Sequence, residues 1–164
     1  MANKHRFRKG QMELVKLAVE SATVIEIGDM LYMESTGGEV KPASSYGAGG
    51  TFSALQQGFA NVFCGIAYES SASGETDDIS VDVSPDSVYE FDVASATYAY
   101  GDDLGPDESS TPGVLMDQQL EATSNTANAV ARAAEYASAA TTLLHVKFAS
   151  AFNPSANNTN AVVG

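Results

Sequence analysis

The sequence predicts an all-β fold: a compact β-barrel or β-sandwich-like domain made from an internally duplicated β unit, with an extended N-terminal arm and a C-terminal tail. Three observations carry that reading. Val24-Ile25-Glu26-Ile27-Gly28-Asp29-Met30-Leu31 returns 73 positions later as Thr97-Tyr98-Ala99-Tyr100-Gly101-Asp102-Asp103-Leu104, and both stretches read as an alternating strand that ends in Gly-Asp. Matching segments follow each copy: Gly65-Ile66-Ala67-Tyr68-Glu69 and Ile79-Ser80-Val81-Asp82-Val83 are echoed by Arg132-Ala133-Ala134-Glu135 and Leu144-His145-Val146-Lys147-Phe148. Between them, short apolar runs alternate with Ser-, Thr-, Asn- and Gly-rich stretches, the mixture expected of many short strands joined by loops.

At 164 residues the chain is long enough for one core without metal or disulfide staples. The single cysteine, Cys64, rules out an internal disulfide and sits in the apolar run Val62-Phe63-Cys64-Gly65-Ile66, where a buried core residue is expected. The formal net charge is −13, although Lys4, Arg6, Arg8 and Lys9 place four positive charges in the first ten residues, which hold no acid. A body this acidic repels DNA and anionic lipid, so neither nucleic acid nor membrane is expected as a partner. No apolar run of membrane-spanning length is present, and the basic N-terminus has no apolar segment behind it, so no signal peptide is expected, and the protein is expected either to be made and used in the cytoplasm or to leave by another route.

The elements divide into an arm (1–10), a duplicated body (11–148, copies at about 22–93 and 94–148) and a polar tail (149–164). The arm has too little apolar surface to fold alone, and reads either as a disordered tail or as a segment that docks on an acidic partner surface. Residues 11–19 predict a first strand. In residues 23–29 a second strand leads into the first Gly-Asp turn, where Gly28 can take a positive φ and Asp29 can bond the backbone. Residues 30–33 resume as a strand, and Thr36-Gly37-Gly38-Glu39 predicts a hairpin turn to a short edge ended by Pro42. Residues 43–58 predict a loop suited to ordering by a partner, with Tyr46, Gly47, Gly49 and Gly50 as its candidate contact residues. Residues 59–68 predict a buried strand, and residues 79–83 and 88–93 alternate strictly and predict a hairpin-like pair.

The second copy opens at 97–104 with the structural turn Gly101-Asp102. Residues 105–113 satisfy every turn criterion and predict a loop. Residues 114–116 and 120–123 predict two short strands. The alanines of 125–140 favour helix by propensity, but the repeat favours strand, which is the expectation adopted. Residues 141–148 close the sheet, and the tail is expected to lie along a surface or a neighbour.

The inventory for chemistry is thin. His5 and His145 are the two histidines, no Gly-x-Ser-x-Gly elbow accompanies them, and no phosphate-loop pattern follows the glycines at 47–50. The acidic clusters 75–78 and 102–108 lack the spacing of a calcium-binding loop and read as solvated charge. No enzymatic activity and no cofactor are therefore expected.

With these residues in place, the chain resembles the small phage head decoration, or capsid cement, proteins. The resemblance rests on Ala22-Thr23-Val24 through Gly28-Asp29-Met30-Leu31, Gly65-Ile66-Ala67-Tyr68-Glu69 with Gly74-Glu75-Thr76, Val81-Asp82-Val83 through Phe91-Asp92-Val93, and Tyr100-Gly101-Asp102-Asp103-Leu104, and covers roughly residues 11–148. Arg132 stands where such proteins commonly have a small residue. The resemblance implies a virion protein on the outer surface of a phage head, acting as a homotrimer that glues neighbouring major capsid proteins. On that reading Lys4, Arg6, Phe7, Arg8 and Lys9 are expected to dock on the capsid. Two alternatives stand beside it: a tail-fibre or receptor-binding adhesin that uses the 46–50 loop, and a hydrolase centred on His145.

Overall fold

The computed structural model describes residues 6–47 and 50–155. Eleven strands are ordered along the described chain: β1 (Phe7–Lys9), β2 (Leu14–Leu17), β3 (Met30–Met33), β4 (Val40–Pro42), β5 (Phe63–Ala67), β6 (Ile79–Asp82), β7 (Val88–Tyr98), β8 (Asp103–Glu108), β9 (Leu115–Ala122), β10 (Ala131–Ala133) and β11 (Ala137–Phe148), with one α-helix, α1 (Phe52–Val62). The fold is all-β and compact, as the patterning predicts.

Two sheets share one plan. The first has the order β2-β6-β5-β3-β4, the second β7-β11-β10-β8-β9, so each strand of the first unit has a counterpart in the second at the same place. In the second sheet a parallel pairing of β7 with β9, Asp92 with Gln119 and Val93 with Leu120, joins the two edges into a closed five-stranded barrel, to which β1 adds on β7. The first sheet brings its edges together by one parallel bridge, Val19 to Val40.

The Gly-Asp turns match atom by atom. Gly28 and Gly101 take φ of 98° and 89°, the left-handed region that glycine alone enters cheaply. Asp29 Oδ2 accepts from Glu26 N–H at 2.8 Å, and Asp102 Oδ2 from Ala99 N–H at 2.8 Å. Gly28 N–H donates to Ala67 O and Gly101 N–H to Ala133 O, each at 2.9 Å. Farther on, Glu69 accepts from Ser80 N–H and Glu135 from His145 N–H, each at 2.7 Å. These pairings fall on the segments whose resemblance marks the repeat.

The repeat begins earlier than the sequence copies do. β6 and β7 do not form a hairpin: β6 pairs with β2 and β5, whereas β7 crosses into the other sheet and opens its unit. The crossing is held at Asp82, a buried carboxylate that accepts from Ser87 Oγ and Tyr89 Oη at 2.6 Å each, and from the N–H groups of Glu13 at 3.1 Å and Ser84 at 3.0 Å. Strict alternation in both segments shows strand character but does not name the partner.

Residues 52–62 are helical where a loop is expected. Thr51 caps the helix by accepting from Ala54 N–H, and Leu55, Gln56, Phe59 and Ala60 are buried along one stripe. The helix contains no charged residue, and Gly58 breaks its pattern for a packing reason: a Cβ there would lie 2.5 Å from the Tyr46 hydroxyl. The buried strand expected over 59–68 is thereby shortened to β5. The segment 105–113 is a loop only in its second half, since β8 continues through Gly105 and Pro106 to Glu108. β10 pairs with β8 only at Asp103 and Leu104, so the missing N–H of Pro106 falls beyond that partner. The two short strands expected at 114–123 are one, β9. At 23–27 a single bridge, Ile25 to Ser71, stands where a strand is expected. The stretch 125–140 holds a short 3-10 turn (Thr126–Asn128), then β10 and the start of β11, so strand prevails over alanine propensity.

The core has two parts. Val19, Ile25, Leu31, Val40, Cys64, Ala67, Ile79 and Val81 fill the first sheet. The larger cluster joins the barrel interior, among others Phe91, Leu104, Leu120, Leu144, Val146 and Phe148, to the seam between the units, where Met30, Tyr32, Phe59, Phe63 and Ile66 pack. β3 divides by its period of two, with Met30 and Tyr32 in the seam cluster and Leu31 in the first-sheet cluster.

Candidate interaction surface

The described part of the arm is used within the chain. Arg6 makes a bidentate pair with Asp92 at 2.8 and 2.7 Å and lies over the Phe91 ring, 5.9 Å from its centroid. Phe7 packs edge-on against Tyr89, and Arg8 pairs with Glu90 at 2.8 Å. Lys9 is exposed opposite Val88 in β1, and Lys4 lies outside the described residues. The acidic groups that Arg6 and Arg8 meet are on the chain's own β7, where the sequence reading expects those of a partner.

Tyr46 is equally committed within the chain. Tyr46 packs edge-on against Tyr32 at 5.1 Å and Phe59 at 5.8 Å, and burial pushes its hydroxyl pKa up. Gly47 and Gly50 are exposed beside it, and Gly49 lies outside the described residues. The Tyr46 ring thus packs against the larger core cluster.

His145 is half-exposed, with Nδ1 3.1 Å from Glu135 and Nε2 4.0 Å from Glu90. Among the described residues no hydroxyl or thiol hydrogen-bonds to it. Cys64 is buried in the first-sheet cluster, and burial pushes its thiol up to about 12, far from the thiolate a nucleophile needs. No group of three or more His, Cys, Asp or Glu side chains among the described residues is placed to hold a metal ion. No described helix is long and apolar enough to cross a membrane.

The surface that stands out is on the second unit. Neither 93–101 nor 136–144 contains a charged residue, in a chain of net charge −13. These stretches are the outer ends of β7 and β11, held together by the pairs Tyr98–Ala137 and Ala96–Thr141. Ala96 and Ala137 pack on the core, while Ser95, Thr97, Ser138, Ala139, Ala140, Thr142 and Leu143 are exposed. β11 bulges between Ala137 and Thr141 and β7 between Asp92 and Ala96, so the ribbon offers side chains rather than a regular edge for a further strand. At its end Tyr100 and Tyr136 are 74% and 71% exposed, and Leu143 is 45% exposed. Interfaces favour aromatic anchors and exclude charge from their centres, and this patch has that composition.

Comparison of the copies shows how specific the patch is. The counterparts of Tyr100 and Tyr136 are Ile27, half-buried, and Ser70, and the first unit's end is lined instead by Glu69, Glu75, Asp77 and Asp78. Beside Tyr100 a groove of about 410 Å³ runs over the outer face of β8, β10 and β11. Arg132 and Lys147 stand opposite one another on its floor, and Arg132 Nε donates to Asp103 Oδ1 at 3.0 Å. From the sequence, Tyr98 and Tyr100 read as core or subunit contacts rather than stacking platforms, and Tyr98 is buried while Tyr100 is exposed. Tyr136 and the patch as a whole were missed because those residues carry no motif. The signal available was the run of uncharged residues in each of two stretches that the repeat places together.

The two units meet through polar pins. Gln56 on α1 donates to Pro106 O and to Glu121 Oε1 at 2.9 Å each and accepts from Asn128 Nδ2 at 3.1 Å. Asp117 accepts from Ser44 N–H at 2.6 Å, and Asp29 Oδ1 from Gln118 Nε2 at 2.8 Å. Asp29 is 3% exposed, and burial pushes its carboxyl up to about 6. No protein-family model matches the chain, and no curated protein matches its sequence.

Proposed function

We propose that the chain is a structural protein of a phage particle, which binds the outer surface of the head as a homotrimer and cements neighbouring major capsid proteins, without catalysis. The observation that supports this reading best is the uncharged, tyrosine-ended surface of the β7–β11 ribbon. An acidic body meets another acidic protein, or its own copy, with least repulsion where it carries no charge. The sequence resemblance to decoration proteins supports the choice of a phage particle, and the uncharged surface supports a contact there. In this proposal Arg6 and Arg8, which pair with β7, are not given the capsid contact.

The test is a double variant, Tyr100→Ala with Tyr136→Ala. Both side chains are largely exposed, so the variant should fold with a melting temperature near that of the parent. Binding to undecorated capsid shells, read by co-sedimentation, should fall about tenfold or more, as for the loss of two aromatic anchors. Mass in solution then assigns the contact: a monomeric variant places it between copies, and an intact oligomer that no longer binds shells places it on the capsid. A variant that keeps both its oligomeric state and full shell occupancy overturns the proposal.

A further inference from the structure

We infer that Asp29 and Gln118 form a proton-operated latch across the seam, in which Asp29 accepts a hydrogen bond as carboxylate and donates one to Gln118 as carboxylic acid. Asp29 lies in the Gly-Asp turn of the first unit and Gln118 on β9 of the second, so the bond between them links the two units directly. In its charged form each carboxylate oxygen has a donor, Oδ2 from Glu26 N–H at 2.8 Å and Oδ1 from Gln118 Nε2 at 2.8 Å.

The amide is only half used. Gln118 is 1% exposed, Nε2 donates to Asp29 and, at 3.3 Å, to Ile27 O, and Oε1 is buried without a hydrogen-bond partner. A buried unpaired acceptor is costly, and the carboxylate cannot relieve it, because turning Oε1 toward Asp29 would set two acceptors against each other. A proton on Oδ1 removes that conflict. The amide then turns over, Oε1 accepts from the acid O–H, and the long contact to Ile27 O is the bond given up.

The surroundings favour the proton. The acidic groups that act on Asp29 are Glu26 on its own turn and Asp117 on β9, both of which disfavour its charge, and burial acts the same way more strongly. Asp117 is itself pushed up by burial while Ser44 N–H holds it. The second-unit counterpart Asp102 makes the same turn bond at 2.8 Å, and no Gln contact is found there. The latch is therefore a product of the seam and not of the turn. Because the folded carboxyl titrates near 6 and the unfolded one near 3.8, the folded state holds the extra proton between those values. Falling pH across that window strengthens the seam.

Carboxyl ¹³C titration of the intact protein, with the Gln118 side-chain amide followed in the same samples, tests this directly. Asp29 should titrate near 6, and the Gln118 NH₂ resonances should move with the same midpoint. Asp29→Asn, which mimics the protonated form, should melt several degrees above the parent at pH 7.5, with the gap closing by pH 4. An Asp29 midpoint at or below 4, or a Gln118 amide that stays fixed through the Asp29 transition, overturns the latch whatever the variant does.

Discussion

Asp82 fastens the crossing between the two sheets through four donors that converge on one buried carboxylate. Its removal leaves two hydroxyls and two N–H groups without their acceptor, so Asp82→Ala should cost about 3 kcal/mol or more in urea unfolding, above the ordinary range for a point substitution. Tyr89→Phe removes one of the same bonds and should cost about 1 kcal/mol. Neither effect is visible in the sequence, where Asp82 is one acid among many in an alternating strand. Gly28 and Gly101 are the opposite case. Gly followed by Asp announces a turn with its own backbone bond, and the structure builds that turn twice with the same partners.

At the scale of elements, β1 shows where local reading stops. The first ten residues carry charge and one aromatic, which is enough to mark an arm that seeks acid, and local reading places that acid on a partner. Its target is 82 to 86 residues away, at Glu90 and Asp92. Arg6→Ala should destabilise the protein by about 2 kcal/mol, because a nearly buried guanidinium is lost from a bidentate pair. The Glu90 amide, which donates to Arg6 O, should then exchange with solvent faster than amides of the β10–β11 pairing. α1 was hidden for a related reason. Its helix is specified by the Thr51 cap and by Leu55, Gln56, Phe59 and Ala60 meeting the seam, and the glycines and serines around it outvote those residues in any local window. Strand against helix in 125–140 was decided correctly by the repeat, a long-range signal, where propensity pointed the other way.

On the scale of the whole molecule, the repeat made the fold class legible, and the surface chemistry was legible only in part. Which residues alternate inward follows from period and repeat. Which face remains uncharged after two distant stretches pair does not, so Tyr136 and the patch it shares with Tyr100 emerged only with the β7–β11 register. The seam also joins the units energetically, since Met30, Tyr32, Phe59 and Ile66 share one cluster with Leu104, Leu144 and Phe148. Unfolding should therefore be a single transition, with near-ultraviolet and far-ultraviolet dichroism coincident in urea; two separated steps would mean that the units are stable apart.

The closing pairs of each unit impose an order on the growing chain at the ribosome. β2 is made early, but its ladder partner is β6, the last strand of its unit, and β7 likewise waits for β11. Each half can therefore close only when all of it has been synthesised, and the non-local pairing makes that closure slow. β1 waits longer still, because its partner β7 belongs to the second half. β1 must stay unpaired until β7 of the second unit appears, and its basic residues, Arg8 and Lys9, suit it to wait in water.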